Sequence, residues 1–230
     1  RDLSDLDQFI PATTNAGIYK YWLDTYNNIL NCNVVLKKLG VSYDPASGSI
    51  SLANTNIPIS DVDRKQFAGE AMFIRAYHYF NLVRLFGGVF LIYQPVTPSE
   101  AKTINRSPVA DIYKLIETDL TTASSFLSNA KFSQIPAANV GKANAWAAKA
   151  LLGKVYLTEN RKADAIVQLQ DVITNSGFSL QPTYAAVFSI TNEMNSEILF
   201  TDRYKSGGLG LGSSLGNDFG PLNSGSVVIN

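Results

Sequence analysis

The amino-acid sequence predicts a mainly α-helical protein built from helix pairs. Five segments carry apolar residues at spacings of three and four, which is the period of one helix face. Clusters of Gly, Pro, Asn and Ser separate these segments and predict turns or loops. The chain has 230 residues, of which 46% are hydrophobic and 17% are charged. This composition allows a substantial buried core and excludes a disordered chain.

The first two predicted helices are the longest. The first covers residues 19–39, and Gly40 follows it as a stop signal. Residues 41–59 are rich in Ser, Asn, Gly and Pro and predict a loop. The second helix covers residues 61–86, with Ser60 as its N-cap. It is apolar over so much of its circumference that we expect it to pack on more than one side.

Three shorter helices are predicted further along, over residues 107–128, 143–157 and 162–175. Ser107 is the expected cap of the first of these, with Pro108 at the first helical position. Additional short elements are predicted as follows: an extended crossing or strand at 89–93, a helical turn at 184–188 and a strand at 197–201.

The sequence changes character at its C-terminal end. Residues 205–230 are rich in Gly and Ser, and they predict a loop or the start of a truncated C-terminal part. We therefore divide the chain into a helical region, residues 1–204, and this second part. The first and last residues suggest a piece of a longer protein.

The last helix pair matches the tetratricopeptide pattern. Gly153, Tyr156 and Ala165 fall on its characteristic positions, followed by Leu169 and Val172. Gly153 and Ala165 are small where two helices would touch, while Tyr156 fills the space beside them. The pattern does not recur at a 34-residue spacing, so we expect a helical repeat diluted by insertions.

Charge and residue counts exclude several classes of function. Nineteen basic and nineteen acidic side chains cancel, which argues against nucleic-acid binding. No apolar run approaches the roughly 20 residues of a membrane-spanning helix. A single cysteine and a single histidine exclude an internal disulfide, a thiolate metal cluster and a multi-histidine metal site. We therefore predict no cofactor, no metal and no catalytic residue.

The remaining polar candidates are interpreted first as structural. His78 and Cys32 lie within predicted helices and are expected to pack there, because a lone nucleophile without a base is not a catalytic site. Glu70 and Arg75 lie on the most apolar helix, where an unpaired charge would be costly. Asp119 or Glu117 on the next helix, or helix-end carbonyls, are the expected partners.

One aromatic cluster is a candidate for ligand binding. Tyr19, Tyr21 and Trp22 stand at the start of the first helix, shortly after Asn15. Aromatic rings beside an amide suit the stacking and hydrogen bonding that a neutral sugar requires. The alternative is an ordinary helix start, with Trp22 in the core and the tyrosines at the surface.

Several ordered blocks of the sequence resemble the SusD/RagB family. Trp22-x3-Tyr26-x2-Ile29 followed by Asn33 is similar to its opening motif. Its most characteristic block is matched by residues 69–88, GEAMFIRAYHYFNLVRLFGG. Further matches lie at residues 112–120, in the tetratricopeptide pair and at residues 195–200, in the order that the family has them. The sequence departs from the family pattern at Phe90, where proline is usual, and near residues 142–144, where an Arg-Thr pair is common.

The resemblance implies a cell-surface lipoprotein of the bacterial outer membrane. Such proteins capture oligosaccharides, or in some members peptides, and pass them to a SusC-type TonB-dependent transporter, without catalysis. Their precursors carry a signal peptide, and a lipid anchor outside this segment is their contact with the membrane. Family members are about twice as long, so the anchor region and the C-terminal half are expected to be missing here.

Two other classes of function stay open at this point. A tetratricopeptide adaptor or a peptide-binding protein is the alternative to glycan capture. An enzyme comes third, because neither a paired-carboxylate cleft nor a phosphate-binding glycine motif is visible.

Overall fold

The computed structural model describes residues 8, 12, 14–189 and 191–204. Within this part the protein is mainly α-helical, which confirms the predicted fold class. The predicted C-terminal loop, residues 205–230, lies outside the described residues.

The helices and strands follow one another in a simple order. We number them α1 (Ala16–Lys38), β1 (Val41–Asp44), β2 (Ser49–Leu52), α2 (Asp61–Phe86), α3 (Pro98–Ala101), α4 (Val109–Phe126), α5 (Ala145–Thr158), α6 (Lys162–Asn175) and α7 (Tyr184–Val187). Two 3-10 turns, Phe132–Gln134 and Ala137–Asn139, lie in the connection between α4 and α5.

Helix α2 is the centre of the fold. It has the bounds that the sequence predicts: the Ser60 side chain accepts a hydrogen bond from the Asp63 backbone N–H, and Gly87 ends the helix with φ of 68°. It packs against both α1 and α4, which explains why apolar residues surround so much of its circumference. Helix α1 begins three residues earlier than predicted, at Ala16.

The predicted loop at residues 41–59 is wrong for its first part, which forms an antiparallel β-hairpin. Val41 pairs with Leu52 and Tyr43 with Ile50, and both Val41 and Tyr43 are buried. The Lys114 ammonium holds the hairpin turn by donating to two of its backbone carbonyls. Each strand has only four residues, which is too short for its alternation to stand out from a Ser- and Gly-rich background.

Two further predictions need correction. Helix α4 begins at Val109 with Pro108 as its N-cap and without a side-chain cap, so Ser107 does not cap it. The predicted strand at residues 197–201 is a series of turns and bends. Hydrogen bonds hold these turns: the Asn195 side-chain oxygen Oδ1 accepts from the Glu197 backbone N–H, and the Glu197 carboxylate accepts from the Gln181 backbone N–H.

Helices α5 and α6 form the predicted tetratricopeptide-like pair. A Cβ atom added at Gly153 would lie 2.7 Å from Leu169 Cγ, so only glycine permits this approach. Ala165, on α6, is fully buried. Tyr156 is half-buried, and the Arg161 guanidinium lies 4.3 Å from the centre of its ring.

A buried ion pair joins α2 to α4. Arg75 and Asp119 form a bidentate pair, with Nε to Oδ2 at 2.8 Å and Nη2 to Oδ1 at 2.7 Å. Arg75 Nη1 also donates to Asn33 Oδ1 on α1 and to the Tyr93 carbonyl. Because both charged groups are fully buried, this network needs every one of these partners.

The same network holds the extended segment after α2 in place. The Asn33 amide donates to the Ile92 carbonyl, and the Tyr79 hydroxyl accepts from the Ile92 N–H. The Tyr26 hydroxyl donates to the Phe90 carbonyl. Backbone groups that a sheet would satisfy are therefore satisfied here by side chains of α1 and α2.

Candidate functional site

Two of the four predicted ligand-binding residues secure the start of α1. Asn15 is only 4% exposed, and its side-chain oxygen accepts a hydrogen bond from the Ile18 N–H as the N-cap. Trp22 is half-buried, with its ring centre 5.0 Å from those of Tyr26 and Phe86. The structure therefore gives both residues a packing or capping role.

The two tyrosines of the predicted cluster point in different directions. Tyr19 is 66% exposed and Tyr21 is 39% exposed. They are two positions apart on one helix, which places them about 200° apart around its axis. They therefore do not form one stacking surface.

Tyr21 instead approaches a second exposed tyrosine on α2. Tyr77 is also 39% exposed, and its hydroxyl and the Arg84 guanidinium both act electrostatically on the Tyr21 hydroxyl. Burial is the main cause that raises the pKa of Tyr21, and a hydrogen bond with Thr25 is the main cause that opposes the shift. Tyr77 raises the pKa further, and Arg84 lowers it. The Tyr21 and Tyr77 hydroxyl groups are therefore close enough to interact electrostatically across the contact between α1 and α2.

Polar groups of α2 complete this region. Tyr77, Asn81 and Arg84 are four and three residues apart and so share one helix face. Arg84 Nη2 donates to Asn81 Oδ1 at 2.5 Å, and its guanidinium lies 4.2 Å from the centre of the Phe80 ring. We call Tyr21, Tyr77, Asn81 and Arg84 the tyrosine patch.

The tyrosine patch combines two kinds of recognition chemistry. The exposed parts of the two tyrosines offer aromatic surface, while the phenol, amide and guanidinium groups offer hydrogen bonds to hydroxyl groups. The sequence interpretation did not single out Tyr77, Asn81 or Arg84, because it treated this helix as one that packs on more than one side. Their common helix face was the available signal.

The only histidine, His78, is half-buried, and the only cysteine, Cys32, is buried, so both pack within the fold. The His78 ring lies 5.9 Å from that of Tyr77, and burial lowers its pKa below the ordinary value near 6.5, with Asp202 opposing. Burial raises the pKa of Cys32 to about 11, so its thiol stays protonated at neutral pH. Within the described residues, no three His, Cys, Asp or Glu side chains are grouped so that they could hold a metal ion.

Glu70 takes no part in the buried network around Arg75 that is described above. Its carboxylate accepts a hydrogen bond from the Gln66 amide at 2.9 Å and lines a cavity beside α2.

None of the described helices is both long enough and apolar enough to cross a membrane.

The described residues thus define a helical, tetratricopeptide-like scaffold that carries an exposed patch of aromatic and polar groups. A family model described as "Starch-binding associating with outer membrane" matches residues 4–157. The chain belongs to this SusD-like family, as the sequence motifs predicted.

Curated relatives show the same likeness. SusD-like protein P25 of Formosa agariphila is 28% identical over 207 residues, which is 86% of this chain and 36% of that protein. A SusD-like protein of Bacteroides ovatus is 30% identical over 154 residues, or 61% of this chain and 27% of that protein. The chain thus spans between about a quarter and little more than a third of the length of these relatives.

Solved structures share the fold. A laminarin binding SusD-like protein is 32% identical with a TM-score of 0.67, covering 78% of this chain and 36% of that one. A SusD-like carbohydrate binding protein of Bacteroides fragilis is 27% identical with a TM-score of 0.73, covering 84% of this chain and 34% of that one.

Proposed function

We propose that this chain is part of a protein that captures oligosaccharides without transforming them. The observation that carries the proposal is the likeness, over 78% of the chain, to a laminarin binding member of the same family. Balanced charge and the packing roles of His78 and Cys32 agree with binding of a neutral ligand rather than catalysis.

The tyrosine patch is the surface that we assign to this ligand. A sugar ring would lie against the exposed face of Tyr77 or Tyr21, and its hydroxyl groups would meet the Asn81 amide and the Arg84 guanidinium. Tyr19, on another face of α1, would provide a separate contact along a longer oligosaccharide. Asn15 and Trp22 would act indirectly, by fixing the start of the helix that carries both tyrosines.

Affinity electrophoresis through gels containing polysaccharide tests this assignment. We expect laminarin in the gel to retard the unaltered protein. The variants Tyr77→Ala and Tyr21→Ala are expected to be retarded much less. Tyr184→Ala is the matched control, because Tyr184 is 82% exposed, lies on α7 and is not a member of the patch. Retardation that is equal in all four proteins would contradict a role for the patch.

A second part of the proposal concerns the cellular location of the whole protein and the transporter that receives its ligand. The family model describes association with the outer membrane. We propose that the whole protein is lipid-anchored at the cell surface and hands its ligand to a SusC-type TonB-dependent transporter. Affinity purification of the tagged whole protein from its native membranes tests this, with co-purification of a large TonB-dependent β-barrel as the expected result. Purification without any barrel partner would contradict it.

A further inference from the structure

A cavity of about 300 Å³ lies between the N-terminal half of α2 and the connection from α4 to α5. This volume is at the small end of the range for ligand pockets. Its lining includes Gln66, Glu70, Ile135, Pro136, Asn139 and Lys142. We call it the charged cavity.

The charged cavity holds two opposite charges that are not paired with each other. Glu70 Oε1 accepts from the Gln66 amide at 2.9 Å, and Lys142 Nζ donates to Asn139 Oδ1 at 2.8 Å. Each charged group therefore has a neutral amide partner, although a group of opposite charge lines the same cavity. Glu70 is half-buried and Lys142 is exposed, so solvent and small solutes reach both.

The rest of the lining limits the class of ligand. Among the described residues that line the cavity there is no aromatic ring, in contrast to the tyrosine patch, so this lining offers no stacking surface for a sugar. Ile135 and Pro136 supply a small apolar wall instead. A ligand that suits this lining carries one positive group, one negative group and a short apolar side chain, because each charge then gains an opposite partner.

We propose that the charged cavity binds a zwitterionic α-amino acid. The ligand's ammonium group lies at Glu70, its carboxylate lies at Lys142, and its side chain lies against Ile135 and Pro136. This binding does not depend on glycan capture at the tyrosine patch, and either can fail without the other.

Calorimetric titration of the 230-residue protein with L-leucine tests the proposal. Saturable binding at millimolar concentrations is expected, and it weakens by more than about tenfold in Glu70→Gln and in Lys142→Met, since each variant removes one charge partner. N-acetyl-leucine and leucinamide, which each lack one charge, are expected to bind equally weakly. Lys162→Met is the matched control because Lys162 is exposed on α6, outside the cavity, and it leaves the affinity unchanged.

Three results would overturn the proposal. They are no saturable heat with L-leucine, binding of either derivative as tight as that of L-leucine, and an affinity for L-leucine that neither cavity variant changes. Circular dichroism of the variants separates loss of binding from loss of folding. Native helicity is expected, because Glu70 is only half-buried and Lys142 is exposed.

Discussion

Removing the carboxylate of Asp119 should strongly destabilise the fold. Asp119→Ala eliminates the two charge-assisted hydrogen bonds, at 2.7 and 2.8 Å, that neutralise Arg75. The guanidinium would then be buried with only the Asn33 side-chain oxygen and the Tyr93 carbonyl as acceptors. Breaking a buried ion pair in this way costs about 3–5 kcal/mol of unfolding free energy.

Urea denaturation followed by circular dichroism measures this loss. For a slope of about 2 kcal/mol per molar, the unfolding midpoint should fall by about 2 M. The double variant Arg75→Met/Asp119→Leu should be more stable than Asp119→Ala, because it leaves no unpaired charge in the core. Lys20→Ala is the control, since it breaks the exposed Lys20–Asp24 pair and should cost no more than about 1 kcal/mol.

A cost of less than about 1 kcal/mol for Asp119→Ala would contradict a buried, unpaired Arg75 in this variant. A double variant less stable than Asp119→Ala would do the same, because the buried charge would then not be the origin of the loss.

Three further predictions concern packing, local polarity and pH. Gly153→Val should destabilise the protein by about 1–3 kcal/mol in urea denaturation, because the added Cβ would overlap Leu169. Combining it with Leu169→Ala should recover part of the loss. An unchanged unfolding midpoint in Gly153→Val would contradict the close contact between α5 and α6. Asn33→Leu should cost about 1–3 kcal/mol in the same assay, because the Ile92 carbonyl loses its amide donor and Arg75 loses an acceptor; a neutral effect would show that water replaces the amide. The folded protein holds the pKa of His78 below its ordinary value near 6.5, so the unfolded state binds the proton more readily. The contribution of His78 to the unfolding free energy should therefore be complete above pH 6.5 and decline as the pH falls below it. If His78→Gln shows the same pH dependence of stability, other groups cause it.

The helical scaffold could be predicted from the sequence because the residues that define its helices are close together in the chain. Ser60, Gly87 and a long apolar run define α2, and the small residues Gly153 and Ala165 define the α5–α6 contact. The hairpin at residues 41–52 was not accessible, since its four-residue strands are stabilised by tertiary contacts such as that of Lys114.

The candidate site was only partly accessible. Exposed aromatic residues at the start of α1 were predicted, and Tyr21 does contribute to the tyrosine patch. Helical periodicity alone already separates Tyr19 from Tyr21, and the sequence interpretation did not use it. The approach of Tyr77 and Arg84 to Tyr21 depends on how α1 packs against α2, which no spacing within one helix reveals.

Calorimetric titration with an oligosaccharide panel, including laminarin oligosaccharides, tests the central claim most directly. The longest version of the protein that can be prepared is the appropriate sample, with peptides as the comparison ligands. Glycan capture predicts saturable heat with at least one oligosaccharide, no turnover of that ligand, and weaker binding in Tyr77→Ala. Heat with peptides alone, or hydrolysis of the bound glycan, would contradict the account.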